Sequence, residues 1–320
     1  MKTKRSGFRM LSVNGIGIVI IYIAVFLLLG IACPNFLTLS NIMINIRQSV
    51  FICLCGFAMT FVISMGGIDL SVGSVAGISA MLVAIFISGG MNIYLAILLV
   101  IVIGGVIGAI NGLLVTKLHI AYFLATLGVS EVLRGLIYVY TKGVPIYGLR
   151  YQEFTWFGQG YMGVVPVPII ITLLLLGLSC YLFYKTKMGR YAVSIGSNEE
   201  AAKLVGIHVD RVKILVMSYA GALCAIAGII LCARNEAAIP EAGSSYVNDS
   251  IAATVIAGTS MSGGKGNMVG TVFGAILMST ISSGMSMLNI SSYWHQVVIG
   301  GFILFAVAFD YFATRSAEKN

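Results

Sequence analysis

The sequence predicts an all-α integral membrane protein, a polytopic bundle of about ten transmembrane helices. Three observations carry this prediction. Hydrophobic residues fill 59% of the 320 positions and charged residues only 9%, against roughly 25% charged in a soluble domain. Apolar runs of about twenty residues recur along the chain, the length at which a helix crosses the hydrocarbon core. The 38 glycines and 5 prolines suit helices packed closely where no hydrophobic drive acts between them. Short segments of alternating polarity, the mark of a membrane β-barrel, are not seen.

In chain order the apolar runs place spans over 15–32, 48–65, 72–88, 93–115, 120–140, 164–184, 213–233, 246–260, 267–288 and 295–312. The second, third and eighth are short. The first follows a basic N-terminus but exceeds the roughly 7–15 residue core of a signal peptide, so it reads as a membrane helix. The net charge is +8, and fourteen of the nineteen cations fall on one side of this arrangement, including Lys2, Lys4, Arg5, Arg9, Arg315 and Lys319 at the termini. Arg47, Lys142, Arg150 and Arg234 fall on the other side, and Arg134 lies within a span. That asymmetry places both termini in the cytoplasm and argues for a lipid bilayer, with no nucleic acid, as the chain's surroundings.

Catalytic chemistry is not indicated. Cys33, Cys53, Cys55, Cys180, Cys224 and Cys232 lack CxxC spacing, and His119, His208 and His295 are scattered, so neither a metal site nor a nucleophile with its base is expected.

Against this apolar background the stretch GRYAVSIGSNEEAAKLVGIHVDRVK, residues 189–213, is a polar, cation-rich island between two long apolar runs. It must therefore lie at one face of the bilayer. Asn198 ahead of Glu199 and Glu200 suits a helix start, because the short polar side chain takes free N–H groups and the acids oppose the dipole. The spacing predicts a helix over Glu199–Val205 stopped by Gly206. Two readings stand: a docking helix that transmits a push from a soluble partner, or a hydrated connection.

Two glycine-rich joints flank the island in sequence. The first, GGIDLSVGS, runs from Gly66 and Gly67 through Asp69 to Gly73 and Ser74. Asp69 could cap a helix beginning near Ser71, face water at a surface turn, line a polar path or bind an ion. The second, GTSMSGGKGN, contains Gly258, Ser260, Gly263, Gly264 and Gly266. It is not a phosphate-binding loop: Thr259 replaces the first glycine, and Gly266 rather than Ser or Thr follows Lys265.

The pattern EAAxxxG formed by Glu200, Ala201, Ala202 and Gly206, with Gly196, Asn198 and Glu199 before it, resembles the loop by which permease subunits of bacterial ATP-binding cassette (ABC) importers dock into their ATPase. The longer island and both joints resemble the branch that imports ribose, xylose, arabinose, galactose and related sugars. The hydrophobic continuation with a proline found in other branches is absent. The resemblance implies a single transmembrane permease domain over 1–320 with a coupling loop at about 185–213, in the bacterial cytoplasmic (inner) membrane. It further implies a second permease subunit, identical or not, a separate ATPase subunit that uses ATP and Mg, and an extracytoplasmic sugar-binding protein. No cofactor is bound by the chain itself, and it is not an enzyme.

Other features keep alternatives open. Gly104, Gly108 and Gly112, like Gly266, Gly270 and Gly274, stand four apart and line helix faces that pack within the chain or across a dimer. Glu131 and Arg134 are spaced to pair on one helix. The segment Thr141–Gly163 interleaves Tyr147, Tyr151, Trp156 and Tyr161 with Lys142, Arg150 and Glu153, as a dock for the binding protein or an interfacial loop. The competing function is a secondary carrier driven by an ion gradient, with Asp69 or the Glu131 and Arg134 pair at its ion site.

Overall fold

The computed structural model describes residues 13–291, 293–304 and 308. The terminal cations named above lie outside them, as does Asp310, expected at the membrane interface at the end of the last span. The elements run α1 Val13–Ala32, α2 Leu39–Ser64, α3 Val72–Ser88, α4 Ile93–Lys117, α5 Tyr122–Thr141 and α6 Gln152–Gln159. A two-stranded hairpin follows, β1 Tyr161–Met162 and β2 Val165–Pro166. Then come α7 Val167–Lys185, α8 Lys187–Ser197, α9 Glu199–Leu204, α10 Val209–Asn235, α11 Tyr246–Ile256 and α12 Met268–Met287, with further helix over 293–304. Several helices begin where a short polar side chain accepts a free N–H: Thr38 from Asn41, Asn92 from Tyr94 and Leu95, and Asn267 from Gly270.

Among the described residues six helices, α2, α4, α5, α7, α10 and α12, are long and apolar enough to cross a membrane, and the protein is a multi-pass membrane protein. Burial sorts them. Of the most apolar stretch, 83% is buried in α2 and 67% in α10 and α12, against 28% in α4, α5 and α7. The first three form the centre, and the others turn apolar faces such as Leu98, Leu136 and Leu174 outward, where lipid solvates them. The centre is filled by Phe57, Phe61, Met217 and Met278. A second apolar cluster, containing Met81, Val100 and Phe154, ties α3 and α4 to α6.

The glycine stripes pack within the chain. A side chain at Gly104 would meet Gly221 and Ala225, at Gly108 the Met217 carbonyl, and at Gly112 the Ile214 backbone, so α4 lies backbone-close on α10. Gly270 and Gly274 bring α12 equally near the Ala257 and Ala253 carbonyls at the end of α11.

Four expectations need correction. Helix α2 starts at Leu39 rather than 48, because polar residues of its early turns find partners within the fold: Asn41 donates to the Phe36 carbonyl at 2.8 Å, and Arg47 to the Gly158 carbonyl at 3.2 Å and the Tyr161 hydroxyl at 3.1 Å. The run expected to span 246–260 is helical only over the 11 residues of α11, about 16 Å and roughly half the hydrocarbon thickness. Glu131 and Arg134 do not pair. Arg134 instead donates to the carbonyls of Pro240 at 2.9 Å and Ala242 at 3.1 Å, fixed acceptors that cost no second buried charge. The expected external loop after α5 is structured: α6 docks on the end of α10, Arg150 pairs with Glu236 at 2.9 Å, and Gln159 donates to the Arg234 carbonyl at 2.8 Å.

Candidate functional site at the α8–α9 end

The polar island folds as two short helices. In α9, as anticipated, Asn198 accepts from the Ala201 N–H at 2.9 Å, and Glu199 and Glu200 occupy the first turn. Gly206 ends the helix at φ +84°. There its N–H donates to the Lys203 carbonyl at 3.0 Å and that of Ile207 to Ala202 at 3.1 Å, the paired bonds of a left-handed helix stop. Ahead of α9, α8 was not anticipated. Its one buried face is made of Gly189, Ala192 and Ile195, three residues apart, with Ile195 set into the core beside Ala202. That spacing was the available signal, hidden by the polarity of the residues between.

The two joints, nearly two hundred residues apart in sequence, meet on α8. Gly196 lies with its backbone against the Ser64 carbonyl, the Gly264 nitrogen and Gly263, and a Cβ placed on Gly66 would lie 3.8 Å from the Gly196 Cα. Gly264 donates to the same Ser64 carbonyl at 2.9 Å. No other residue type fits at position 196 without displacing the backbone of Ser64 at the end of α2 and of Gly264 in the second joint. Ser64 also donates to Thr60 and Lys265 carbonyls, Thr60 and Thr271 share a hydrogen bond of 2.8 Å, and Asn267 donates to the Ala257 carbonyl at 2.8 Å. In the second joint Ser260 and Gly263 close a turn through a bond of 3.0 Å, while Gly258, Gly263 and Gly264 all take positive φ.

A second tie uses charge. Lys213, buried on α10, donates to Glu199 at 2.7 Å and stands 5.5 Å over the Tyr122 ring, which in turn covers Gly67. Burial alone would raise the Glu199 carboxyl. The hydrogen bonds and charges of Lys213 and Lys203 outweigh it and hold the group below the ordinary carboxylate range. Neither pairing is legible in the sequence, since Lys213 is one of several cations in the island and Tyr122 one aromatic residue near a span end.

Asp69 is buried. Its carboxylate accepts from the Ser71 N–H at 2.8 Å and the Ser71 hydroxyl at 2.6 Å, and Asn111 donates to that hydroxyl at 2.8 Å. It therefore organises the turn into α3 rather than facing water. Ser74 bonds Ser130 at 2.7 Å, and Gly73 admits the Gly243 backbone. The later half of the first joint thus locks into α4 and α5, while its start meets α8. Among the described residues no group of three or more His, Cys, Asp or Glu side chains could hold a metal ion.

The arrangement joins the polar island to both joints: α8 touches the second through Gly196, and Lys213 and Tyr122 reach Gly67 of the first. A family profile described as branched-chain amino acid transport system / permease component matches residues 41–307. The chain belongs to this permease family. The permease is 46% identical over 285 residues to the ribose import permease protein of Bacillus subtilis, covering 89% of this chain and 88% of that protein. It is 34% identical over 295 residues to the D-allose transport system permease protein of Escherichia coli K12, covering 92% and 89%. Over 298 residues it is 30% identical to the L-arabinose ABC transporter permease protein of Azospirillum brasilense, covering 93% and 88%. No solved structure matches it.

Proposed function

We propose that the permease is the membrane-spanning subunit of an ABC importer that carries a monosaccharide into the cytoplasm. In this reading 1–320 is one transmembrane domain in the bacterial inner membrane with both termini cytoplasmic. It pairs with a second permease subunit and is driven by a separate ATPase that binds ATP and Mg. An extracytoplasmic binding protein feeds it across the end that carries α6. The names of its relatives, for ribose, D-allose and L-arabinose, support the substrate class.

One observation carries the mechanism: α9 has an exposed tip over an anchored base. Leu204 is 88% and Val205 77% exposed, and the Glu200 side chain is 81% exposed, an apolar pair beside a carboxylate left uncovered by the described residues. Beneath them Ala202 is buried, and Glu199 is tied to Lys213. A partner gripping the tip would move α8, and through Gly196 both joints, so that the permease pair opens alternately to the two sides.

Extraction of the tagged chain in mild detergent from its native membranes, followed by mass spectrometry, tests the partner. A soluble protein with a phosphate-binding loop is expected in stoichiometric amount. The folded chain emerging alone, and moving sugar by itself in vesicles under an ion gradient, would replace this reading with a secondary carrier.

A further inference from the structure

At the opposite end of the bundle a cavity of about 210 Å³ opens between α2, α11, α12 and the 293–304 helix. Its polar wall includes Gln48, Tyr246, Asp249, Ser282, Ser286 and His295. Asp249 is 4% exposed; its Oδ1 is buried without a hydrogen-bond partner, and none of the ion pairs among the described residues includes it. A carboxylate held dry and unpartnered is costly, and in a native fold such a group calls for an explanation such as a ligand. The nearby Ser282 hydroxyl is hydrogen-bonded to the His295 ring, and Tyr246 is held by stacking on Phe51 at 5.7 Å.

The lining also specifies the ligand's character. A cation site would gather several oxygen ligands about one point, whereas here a single carboxylate shares the wall with hydroxyls, an amide and an imidazole. The space exceeds several times the roughly 30 Å³ share of one water, so it suits a small ring carrying many hydroxyls. Such a ligand offers donors to Asp249 and can both give to and take from Gln48 and the serines.

Position adds the third argument. Gln48 stands about 24 Å along α2 from Ser64, and Ser282 about 21 Å along α12 from Met268, at 1.5 Å per residue. The cavity is thus remote from the α8–α9 end, yet Asp249 and Ser282 sit on the two helices that the second joint connects.

We propose that this cavity is a transient binding site for a neutral monosaccharide, with Asp249 as the central acceptor and Gln48, Ser282 and Ser286 as further contacts. The proposal rests on the sugar-importer reading for its ligand. Motion of the second joint would shift α11 against α12 and separate these groups, releasing the sugar.

Two measurements on the assembled importer in vesicles test it. ATP-driven uptake of ribose, D-allose and L-arabinose by Asp249→Leu is expected to fall about tenfold or more, and Asp249→Asn, which keeps an acceptor, to lose much less. Uptake by Asp249→Leu at the wild-type rate would overturn the site. If that variant fails to assemble, labelling of Ser286→Cys by a charged thiol reagent, located by mass spectrometry, decides: millimolar ribose is expected to slow labelling at that position. Labelling indifferent to all three sugars, or slowed by sodium chloride and not by sugar, would overturn the proposal. Should the wild-type complex move no sugar at all, the importer reading fails, and the labelling experiment still decides whether the cavity binds one.

Discussion

At the α8–α9 end backbone meets backbone: Gly196 lies against Ser64 and the second joint, and Gly264 closes the contact with a bond of 2.9 Å. At the other end Asp249, Gln48 and Ser282 surround open space, and a buried carboxylate oxygen goes unpartnered. The first region is closely tied, with Glu199, Lys213 and Ser64 all paired and small residues forced by contact. The second leaves hydrogen-bonding capacity unspent. A transporter needs both kinds of construction, since force travels only through parts that cannot deform independently, while a substrate site must offer groups that the protein has not already paired.

The comparison can be broken at its rigid end. Gly196→Leu should have the largest effect, because the new side chain meets backbone on two sides and has no rotamer that avoids it. A loss of about 3 kcal/mol is expected, at the upper end for overpacking. Thermal unfolding in detergent would show it, together with loss of uptake. A variant as stable as the wild type would mean the joints are not clamped on α8.

Lys213→Met should cost less, about 1–3 kcal/mol. The methionine fills the same channel beside Tyr122 but leaves Glu199 with only its exposed partner Lys203. The sharper readout is hydrogen exchange, which should rise in α9 and leave α2 unchanged. Exchange rising equally throughout would show that the tie holds the whole bundle rather than the handle.

Much of this was legible where one residue type does one local job. Asn198 and Gly206 mark the ends of α9 by their own hydrogen-bonding and φ preferences, and uninterrupted apolar runs locate α4, α7 and α12 to within a few residues. Legibility failed where a residue's partner lies far along the chain. Arg47 looks like a boundary until α6 and β1 supply its acceptors, and Arg134 is spaced for Glu131 but satisfied by carbonyls more than a hundred residues away. The cavity was invisible for the same reason: Gln48, Asp249, Ser282 and His295 come from four elements, and serines in a membrane helix ordinarily satisfy themselves on the preceding turn, as Ser286 does. Helix α8 escaped notice because its buried face is built largely of glycine and alanine, which carry little hydropathy.

The central claim is that α9 connects ATP hydrolysis to movement of the two joints. The most direct measurement is the ratio of sugar taken up to ATP hydrolysed by the reconstituted importer carrying Glu200→Lys, a reversal of charge on an exposed side chain that pairs with Lys203. The ratio should fall about tenfold or more, a change of ~1–3 kcal/mol in coupling free energy, with the permease still folded in the membrane. A ratio equal to that of the wild type would contradict the account.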